Sequence, residues 1–511
     1  MSPTAAAPRT TPAETTLVLR VLTVAAFVVI LNETIMNNAI PRLMDHFGVP
    51  ATSAQWLSTS FMLTMAVVIP TSGWLMQRLA TRRTFVLAMS LFALGTAIAA
   101  AAPTFEVLVA ARVVQASGTA VMIPLLMTTL MTLVPAHDRG RVMGNVSLVI
   151  AVAPAMGPAV SGVLLQVGSW RLIFLAVLPI ALAALALGMR LLPAIAESDR
   201  TRLDVPSLLL SAVGFGGLIY GLSSLGGGSH GGGADAAAHE PPVDPLLSAG
   251  IAVLALAAFV WRQLRLQRDA DPLLDLRALS HRGFTAAFIT MCLAFMAFLA
   301  TIILLPIYLQ QVLGLSTLAT GLLLIPGGLM MGLLGPQIGK AYDRIGAPRL
   351  VVPGTVGLTV VLGLFALLAP TASAPVVLAL HVAMSLMLAL TFTPLFTAGL
   401  GSLPQHLYSH GSAILGSLQQ VAGAAGTALS IAVFSTIAAS AADGGTPGAA
   451  ELASGMRGSF LVLTVVGGLA ILGALAVRTP PAEQPEETGA SEGAGRLDGP
   501  VRGASAGQGA R

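Results

Sequence analysis

Long apolar segments alternate with short polar connections along almost the entire chain. A membrane-spanning helix needs about 20 apolar residues to cross a hydrocarbon core of ~30 Å, because every backbone N–H and C=O group must be satisfied within the segment. Fourteen runs of the 511-residue chain fit this requirement. They are 17–40, 54–76, 84–101, 105–133, 142–167, 170–192, 208–225, 246–261, 284–313, 318–338, 350–369, 375–400, 412–439 and 456–477. The pattern predicts an all-α polytopic membrane protein with both termini on one side.

The composition excludes a soluble enzyme. Only 9% of the residues are charged and 55% are hydrophobic, whereas about 25% of the residues of a soluble domain are charged. The single cysteine, Cys292, lies inside an apolar run, so no intrachain disulfide is possible. No basic run is interleaved with aromatic residues in the way a nucleic-acid site requires, and we expect no nucleic-acid partner.

The distribution of the 26 Lys and Arg residues predicts the orientation. If the N-terminus is cytoplasmic, Arg42, Arg171 and Arg457 lie outside, Arg112 lies within a span, and all the others lie inside. No short apolar core followed by a cleavage site precedes the first span, which argues against a signal peptide. We therefore expect a multi-pass protein of the cell membrane with both termini in the cytoplasm.

The chain contains an internal repeat. The Gly-rich segment 226–245 is expected to be a flexible outside loop between two short spans, and it marks the middle of the chain. Without these two spans, six remain on each side, and each half has a similar loop between its second and third spans, at 73–83 and 339–349. A duplicated six-span unit is typical of secondary transporters. The predicted parts are a cytoplasmic tail (1–16), an N-terminal six-helix bundle (17–192), two extra spans (193–283), a C-terminal six-helix bundle (284–477) and a disordered cytoplasmic tail (478–511).

Several motifs resemble those of the major facilitator superfamily and, within it, of the fourteen-span drug:proton antiporters. They are ILNETIMNNAIP (30–41), the loop GWLMQRLATRR (73–83), ARVVQASGTA (111–120), AVAPAMGPAVSG (151–162) and the loop GKAYDRIGAPR (339–349). The resemblance covers about residues 15–478. It implies the major facilitator fold, with two six-helix bundles plus two additional central transmembrane helices.

The resemblance also implies an activity. A transporter of this kind rocks between inward- and outward-facing states and exports a drug-like molecule in exchange for protons. Its expected partners are the lipid bilayer, an amphipathic small-molecule substrate and protons. The proton gradient would drive it, so we expect neither a cofactor nor a metal site, and no enzymatic activity.

The two repeated loops resemble conformational latches of the family. Such a loop pairs with a neighbouring helix end in one state and releases it in the other. The C-terminal copy keeps the acid of the motif as Asp343, whereas the N-terminal copy has Gln77 in its place, so we expect the N-terminal latch to be weaker. A loop that merely carries the inside positive charge is the alternative. The predicted latch residues are Gly73, Arg78, Arg82, Arg83, Gly339, Asp343, Arg344, Gly346 and Arg349.

The fifth span resembles the antiporter signature of the family. Pro154 and Pro158 each remove a helix hydrogen bond, while Gly157 and Gly162 allow a neighbouring helix to approach closely. We expect this span to act as a hinge that bends and seals against the opposite bundle. Ordinary tight packing of a transmembrane helix is the alternative.

Glu33 and Arg112 are the candidate proton-coupling pair. Glu33 is the only Asp or Glu deep in any predicted span. At ~1.5 Å per residue, Arg112 lies ~9 Å and Glu33 ~12 Å below the outer ends of their spans, which is the same layer. A charge facing lipid costs about 3 kcal/mol or more, so both are expected to face the cavity, where a carboxyl can exchange protons with either side. Alternatively, Arg112 snorkels to the surface and Glu33 hydrogen-bonds across helices.

Other polar residues of the spans are candidates for the substrate cavity. Asn32 stands at the acid position of the family, and one step along a helix turns a side chain by ~100°, so either Asn32 or Glu33 faces the cavity. His381 is as much a packed hydrogen-bonding residue as a proton carrier. The predicted cavity residues are Thr34, Asn37, Gln115, Gln310, His381, Gln419 and Gln420.

Two other transport functions and two other classes of protein remain as alternatives. A proton-coupled importer or an exporter of an endogenous metabolite would use the same scaffold. A membrane enzyme is disfavoured because neither a His-Glu-x-x-His metal motif nor a phosphate-binding loop is present. A transporter-like sensor would bind its ligand without net flux.

Overall fold

The structure, a computed structural model, describes residues 11–37, 39–193, 203–225, 244–269, 272–369, 371–442, 445 and 447–479. Helices occupy all fourteen predicted spans, and this part of the chain contains no strand. Most of the predicted outside loop 226–245, the first ten residues of the N-terminal tail and residues 480–511 of the C-terminal tail lie outside the described residues.

Eight helices form the N-terminal half. They are α1 (Pro12–Asn37), α2 (Ile40–Phe47), α3 (Ala51–Ala54), α4 (Trp56–Arg78), α5 (Thr81–Ala101), α6 (Phe105–Leu133), α7 (Arg139–Val167) and α8 (Arg171–Leu191). The first predicted span, 17–40, was wrong at its end, because α1 stops at Asn37 and the chain turns into the separate short helix α2. Pro41 lies in the first turn of α2, where its missing N–H costs nothing. An apolar run does not reveal such a change of direction.

The middle of the chain and the C-terminal half contribute the remaining helices. The seventh span consists of α9 (Val205–Ser211), a π-helical turn (Ala212–Gly216) and α10 (Gly217–Leu225). The others are α11 (Pro245–Asp269), α12 (Arg282–Ile307) with a π-helical turn (Tyr308–Val312), α13 (Thr317–Ile345), α14 (Pro348–Leu368), α15 (Ala374–Gly401), α16 (Tyr408–Ala441) and α17 (Ala449–Ala476). Within the described residues, thirteen helical segments are long and apolar enough to cross a membrane. The predicted fifth span, 142–167, lies in α7, which is not among the thirteen.

The helices pack as two bundles with the extra spans at their side. Helices α1 and α4–α8 pack on one another, as do α12–α17. The bundles meet mainly along two seams, α7 against α13 and α4 against α16, with smaller contacts of α6 with α16 and of α7 with α15. The seventh span packs against α11 and contacts both α4 and α16.

Glycines bring the backbones of α7 and α13 into direct contact. A Cβ atom added to Gly144 would lie 2.2 Å from the carbonyl oxygen of Gly335. One added to Gly339 would lie 2.0 Å from the carbonyl oxygen of Gly140. Real Cβ atoms cannot approach an oxygen so closely, so this seam requires residues without side chains. It lies where α7 begins and α13 ends, next to the Arg-rich loops, which we call the basic-loop end.

Replacing Gly339 should therefore separate the bundles at the basic-loop end. We expect Gly339→Ala to cost about 1–3 kcal/mol of stability, because the methyl group overpacks the seam. The measurement is the thermal melting temperature of the purified protein in detergent. The control is Gly321→Ala in the same helix, where an added Cβ atom meets nothing within 4 Å. Equal melting temperatures of the two variants would contradict the prediction.

Candidate functional site

Arg112 is buried inside the N-terminal bundle. Only 1% of its surface is exposed. Its Nε donates to the carbonyl oxygen of Leu57 at 3.3 Å, and its Nη1 donates to Oε1 of Gln115 at 2.5 Å. A guanidinium at this depth must be partnered, since an unpaired charge in a low-dielectric interior is costly. Arg112 therefore points into the bundle and does not snorkel to the surface.

Two further contacts fix the guanidinium. It lies over the ring of Phe61, with Cζ 4.0 Å from the ring centroid, a cation–π arrangement. Gln115 in turn donates from Nε2 to Oγ1 of Thr96 on α5, at 2.8 Å. The backbones of α5 and α6 are close here, because a Cβ atom at Gly95 would lie 2.5 Å from the backbone nitrogen of Gln115. Predicted as a cavity residue, Gln115 thus supports Arg112 within the bundle.

Glu33 lies on α1 and Arg112 on α6, two helices that pack against each other. The Glu33 side chain is half-buried. Neighbouring Asn32 is fully buried, and neither polar atom of its amide has a hydrogen-bond partner among the described residues. The structure thus has the two residues on neighbouring helices, and their role as a proton-coupling pair stays a prediction. Asn32, at the acid position of the family, holds its amide away from solvent.

The other predicted cavity residues are not gathered in one place. Thr34 bonds the carbonyl oxygen of Leu31 in its own helix at 2.9 Å and packs against Gly157 of α7, where an added Cβ atom would lie 2.4 Å from its Oγ1. The Asn37 side chain lies outside the described residues. Gln310 is exposed on the π-helical turn that ends α12.

Two glutamines of α16 lie close to the opposite bundle. Gln419 and Gln420 are both half-buried. Nε2 of Gln420 lies 4.0 Å from Sδ of Met65 on α4, so this amide bridges the α4–α16 seam. Of the predicted cavity residues, Gln420 has the most direct contact with the space between the bundles.

His381 lies within the C-terminal bundle. Its Nε2 lies 3.3 Å from the carbonyl oxygen of Leu324, and its ring fills the space beside Gly327, where an added Cβ atom would lie 2.3 Å from Cδ2. Its Nδ1 has no hydrogen-bond partner among the described residues. This placement is that of a packed residue between α13 and α15, away from Arg112.

Helix α7 connects the two bundles along its length. Its first half contacts α13 through Gly140 and Gly144, and Gly157 in its second half contacts α1. Of the other predicted hinge residues, Pro154 is exposed, Gly162 has open space around it, and the Pro158 side chain lies outside the described residues. The helix is continuous from Arg139 to Val167.

Asp343 joins the bundles at the α7–α13 seam. Its Oδ1 accepts the backbone N–H of Gly140 at 2.8 Å, and its Oδ2 accepts that of Arg141 at 2.7 Å. These N–H groups belong to the first turn of α7. The N–H groups of a first turn have no partner within their own helix. A carboxylate there satisfies two donors and also lies at the positive end of the helix dipole. The acid of the C-terminal loop thus binds the backbone of the opposite bundle.

The N-terminal copy of the loop makes a different contact at the α4–α16 seam. Nε2 of Gln77 lies 2.7 Å from Nε2 of His410. His410 is in the first turn of α16. Gly73, one turn earlier, packs against His410, since an added Cβ atom would lie 3.1 Å from Nδ1. Gln77 and Gly73 have the same spacing as Asp343 and Gly339, so the two seams are related by the repeat. His410 was not among the predicted site residues, because 333 residues separate it from Gln77.

The predicted arginines of the latches are on the surface. Arg78, Arg82, Arg83, Arg344 and Arg349 are all exposed. Gly346 ends α13 with φ of 79°, a left-handed conformation that favours glycine.

Arg139, one of the positive charges predicted on the inside, is buried where the two bundles meet. It donates to the carbonyl oxygens of Val134 and Met131 at the end of α6, both at 3.1 Å, and lies 5.8 Å from the ring centroid of Tyr408 on α16. It therefore caps one helix of the N-terminal bundle while touching the other bundle. Nearby, Oγ1 of Thr128 on α6 and Oγ of Ser412 on α16 are 2.8 Å apart, which adds a contact between the bundles.

Among the described residues, no group of three or more His, Cys, Asp or Glu side chains could hold a metal ion.

Comparisons with known proteins agree with this architecture. The family model described as Major Facilitator Superfamily matches residues 22–427. An uncharacterized MFS-type transporter of Bacillus subtilis, YcnB, is 37% identical over 476 residues, which cover 93% of this chain and 98% of that protein. The lincomycin resistance protein LmrB of Listeria monocytogenes is 35% identical over 459 residues, covering 89% and 95% respectively. The solved structure of the proton:xylose symporter XylE has a TM-score of 0.61 at 16% identity, covering 90% of this chain and 95% of that one, which shows the fold.

Neutralising Asp343 should open the basic-loop end. In Asp343→Asn one amide oxygen can still accept an N–H, but the amide NH₂ then faces the second N–H of α7, so we expect the ratio of open to closed molecules to rise about five- to tenfold. The measurement is pulsed electron paramagnetic resonance between spin labels at His137→Cys and Gln405→Cys, both exposed and in opposite bundles, in a Cys292→Ala background. Asp45→Asn, at an exposed acid of α2, is the control. Identical distance distributions for both variants would refute the role of Asp343.

Proposed function

The chain belongs to the major facilitator superfamily and is a multi-pass membrane transporter, not an enzyme, and from this premise we propose that it exports amphipathic drug-like small molecules across the cell membrane in exchange for protons. The observation that carries the proposal is the buried guanidinium of Arg112, on a helix that packs against the helix of Glu33. Ionisable groups inside a membrane are rare and mark ion or substrate pathways. A relative that covers most of this chain is named a lincomycin resistance protein, which supports export of a drug-like cargo.

Alternating access would follow from the two seams. Asp343 and Gln77 join the bundles at the basic-loop end. The Lys and Arg bias assigns this end to the cytoplasm, and both termini with it. The structure then corresponds to a state closed toward the cytoplasm. Breaking both seams would allow the bundles to rock and open the opposite state.

Glu33 would couple this motion to protons. In the state open to the outside, Glu33 takes up a proton and loses its attraction for a cationic substrate. In the state open to the cytoplasm it releases the proton and attracts the next substrate molecule. Arg112 holds the carboxyl in place and changes its proton affinity as the surroundings of the pair change. The proton gradient alone supplies the driving force, with no cofactor.

Replacing Glu33 should abolish coupling. We expect Glu33→Gln to reduce proton-gradient-dependent dye transport in everted vesicles at least tenfold, because an amide cannot bind and release the proton. Glu106→Gln, which makes the same change at an exposed acid of the first turn of α6, should transport at the wild-type rate. Normal transport by Glu33→Gln would show that another group carries the proton. Dye movement in the opposite direction would indicate an importer.

Arg112→Ala should also lose coupling while the protein still inserts in the membrane. The change removes the guanidinium that is proposed to interact with Glu33 and leaves the carbonyl oxygen of Leu57 and the amide of Gln115 without their donor. The measurement compares dye transport in everted vesicles with and without a proton gradient, at matched amounts of membrane-inserted protein. Wild-type expression with unchanged dependence on the gradient would disprove the assignment of Arg112.

A further inference from the structure

Polar side chains join the two extra spans at the basic-loop end. Asp204, just before α9, accepts from Nε and Nη2 of Arg262 on α11 at 2.6 and 2.7 Å. This guanidinium lowers the pKa of Asp204 to about 2, so the carboxyl stays ionised. Asp204 also accepts from the hydroxyl of Ser207, and Nε2 of Gln263 on α11 donates to that hydroxyl at 2.7 Å. The two spans are thus fixed to each other by an ion pair and a buried amide.

The same amide holds the segment that leads from the extra spans into the C-terminal bundle. Oε1 of Gln263 accepts the backbone N–H of Leu274 at 3.2 Å. One turn further along α11, Nε2 of Gln267 donates to Oδ1 of Asp275 at 3.1 Å. Leu274 and Asp275 are both buried, with 2% and 7% of their surface exposed. The segment is therefore docked on α11 and not a free linker.

The docked segment contacts His410 of the α4–α16 seam. The backbone N–H of Asp275 donates to Nδ1 of His410 at 3.2 Å. Only an unprotonated Nδ1 can accept this bond, so the neutral ring carries its proton on Nε2, which faces Gln77 at 2.7 Å. The amide atom of Gln77 at this contact is Nε2, which cannot accept a hydrogen bond from a ring N–H. The assignment therefore requires the Gln77 amide to be turned by 180°, which puts its oxygen at the contact. The bond from Asp275 thus sets the hydrogen-bonding role that His410 has toward the N-terminal bundle.

The extra spans also pack across this seam directly. The α10 helix lies against α16 of the C-terminal bundle. The π-helical turn of the seventh span lies against α4 of the N-terminal bundle, where a Cβ atom added to Gly216 would lie 3.5 Å from Cγ2 of Val67. Any rocking of the bundles changes the distance between α4 and α16. It must therefore change at least one of these contacts.

We propose that the two extra spans act on the transport cycle as a clamp, and that His410 is the positioning residue through which they hold the basic-loop end closed. The chain of contacts runs from Gln263 through Leu274 and Asp275 to His410 and then to Gln77. The inference rests on the alternating-access part of the proposed function but not on the substrate or on proton coupling. It gives the extra spans a role beyond linking the two halves.

The clamp predicts that a change inside the extra spans alters a distance between the bundles. Gln263→Met keeps the size of the side chain but loses both hydrogen bonds, and it lies in neither bundle. With the spin-label pair at His137→Cys and Gln405→Cys in the Cys292→Ala background, we expect the ratio of open to closed molecules to rise about three- to tenfold. The control is Ser248→Ala, which removes a 3.1 Å bond to the carbonyl oxygen of Gly217 between the same two spans but away from the docked segment. This control should leave the ratio unchanged.

Variants of His410 test the path of the effect. Asn places an oxygen near the position of Nδ1, so His410→Asn keeps an acceptor for Asp275 but cannot reach Gln77, and His410→Phe loses both bonds. Both are expected to raise the open-to-closed ratio. If the clamp acts through His410, adding Gln263→Met to His410→Phe changes the ratio less than twofold further, because coupled residues are not additive.

Three results would overturn the proposal. The first is a Gln263→Met ratio equal to that of the protein without this change. The second is an equal shift in both, which indicates general loosening of the extra spans. The third is full additivity of Gln263→Met and His410→Phe. If Gln263→Met does not insert, Gln267→Met at a half-buried position removes the neighbouring bond to Asp275 and is judged by the same criteria. The measurement uses neither substrate nor a proton gradient, so failed dye export leaves its outcome interpretable.

Discussion

The two hydrogen bonds from the first turn of α7 to Asp343 are the interaction on which the closed end depends. They form only because Gly140 and Gly339 let two helix backbones touch. A carboxylate that accepts two otherwise unpaired N–H groups at a helix N-terminus gains from both hydrogen bonding and the helix dipole. The contact is made to backbone, so it constrains the sequence of α7 mainly by demanding small residues.

At the α4–α16 seam the two bundles are joined by neutral groups. Gln77 replaces the acid, and its partner is the side chain of His410, not the backbone of α16. Because neither group is charged, we expect this bond to be weaker than those of Asp343, and the weaker N-terminal latch stays a prediction. The docked segment at Asp275 and the packing of the seventh span on α4 add contacts at this seam. The chain therefore places its additional helices beside the seam that lacks an acid.

The sequence predicted the spans well because apolar length is a local property, whereas the pairing of Glu33 with Arg112, which follows from a depth estimate, stays a prediction. It also identified Asp343 through a motif, although not its backbone partners. The partnership of Gln77 with His410 could not be predicted, since it depends on where two helices of different halves meet, and no periodicity connects residues so far apart. Arg139 was missed for a related reason: its charge was assigned to a loop, whereas the helix begins at that residue and folds the side chain back onto α6. Short α2 was missed because the predicted span was extended past Asn37, where α1 ends, to Ile40, where α2 begins.

Helix α4 links the buried pair with the seam. Near its first turn, Leu57 and Phe61 contact the guanidinium of Arg112, and in its last two turns Gly73 and Gln77 contact His410. Leu57 and Gln77 are twenty residues apart, which corresponds to ~30 Å along α4. Helix α7 makes a second link, from Thr34 beside Glu33 to the backbone groups that bind Asp343. In the proposed cycle, a change in the charge of Glu33 would alter the forces on Arg112 and hence on α4. Helices α4 and α7 would then transmit that change to the α4–α16 and α7–α13 seams.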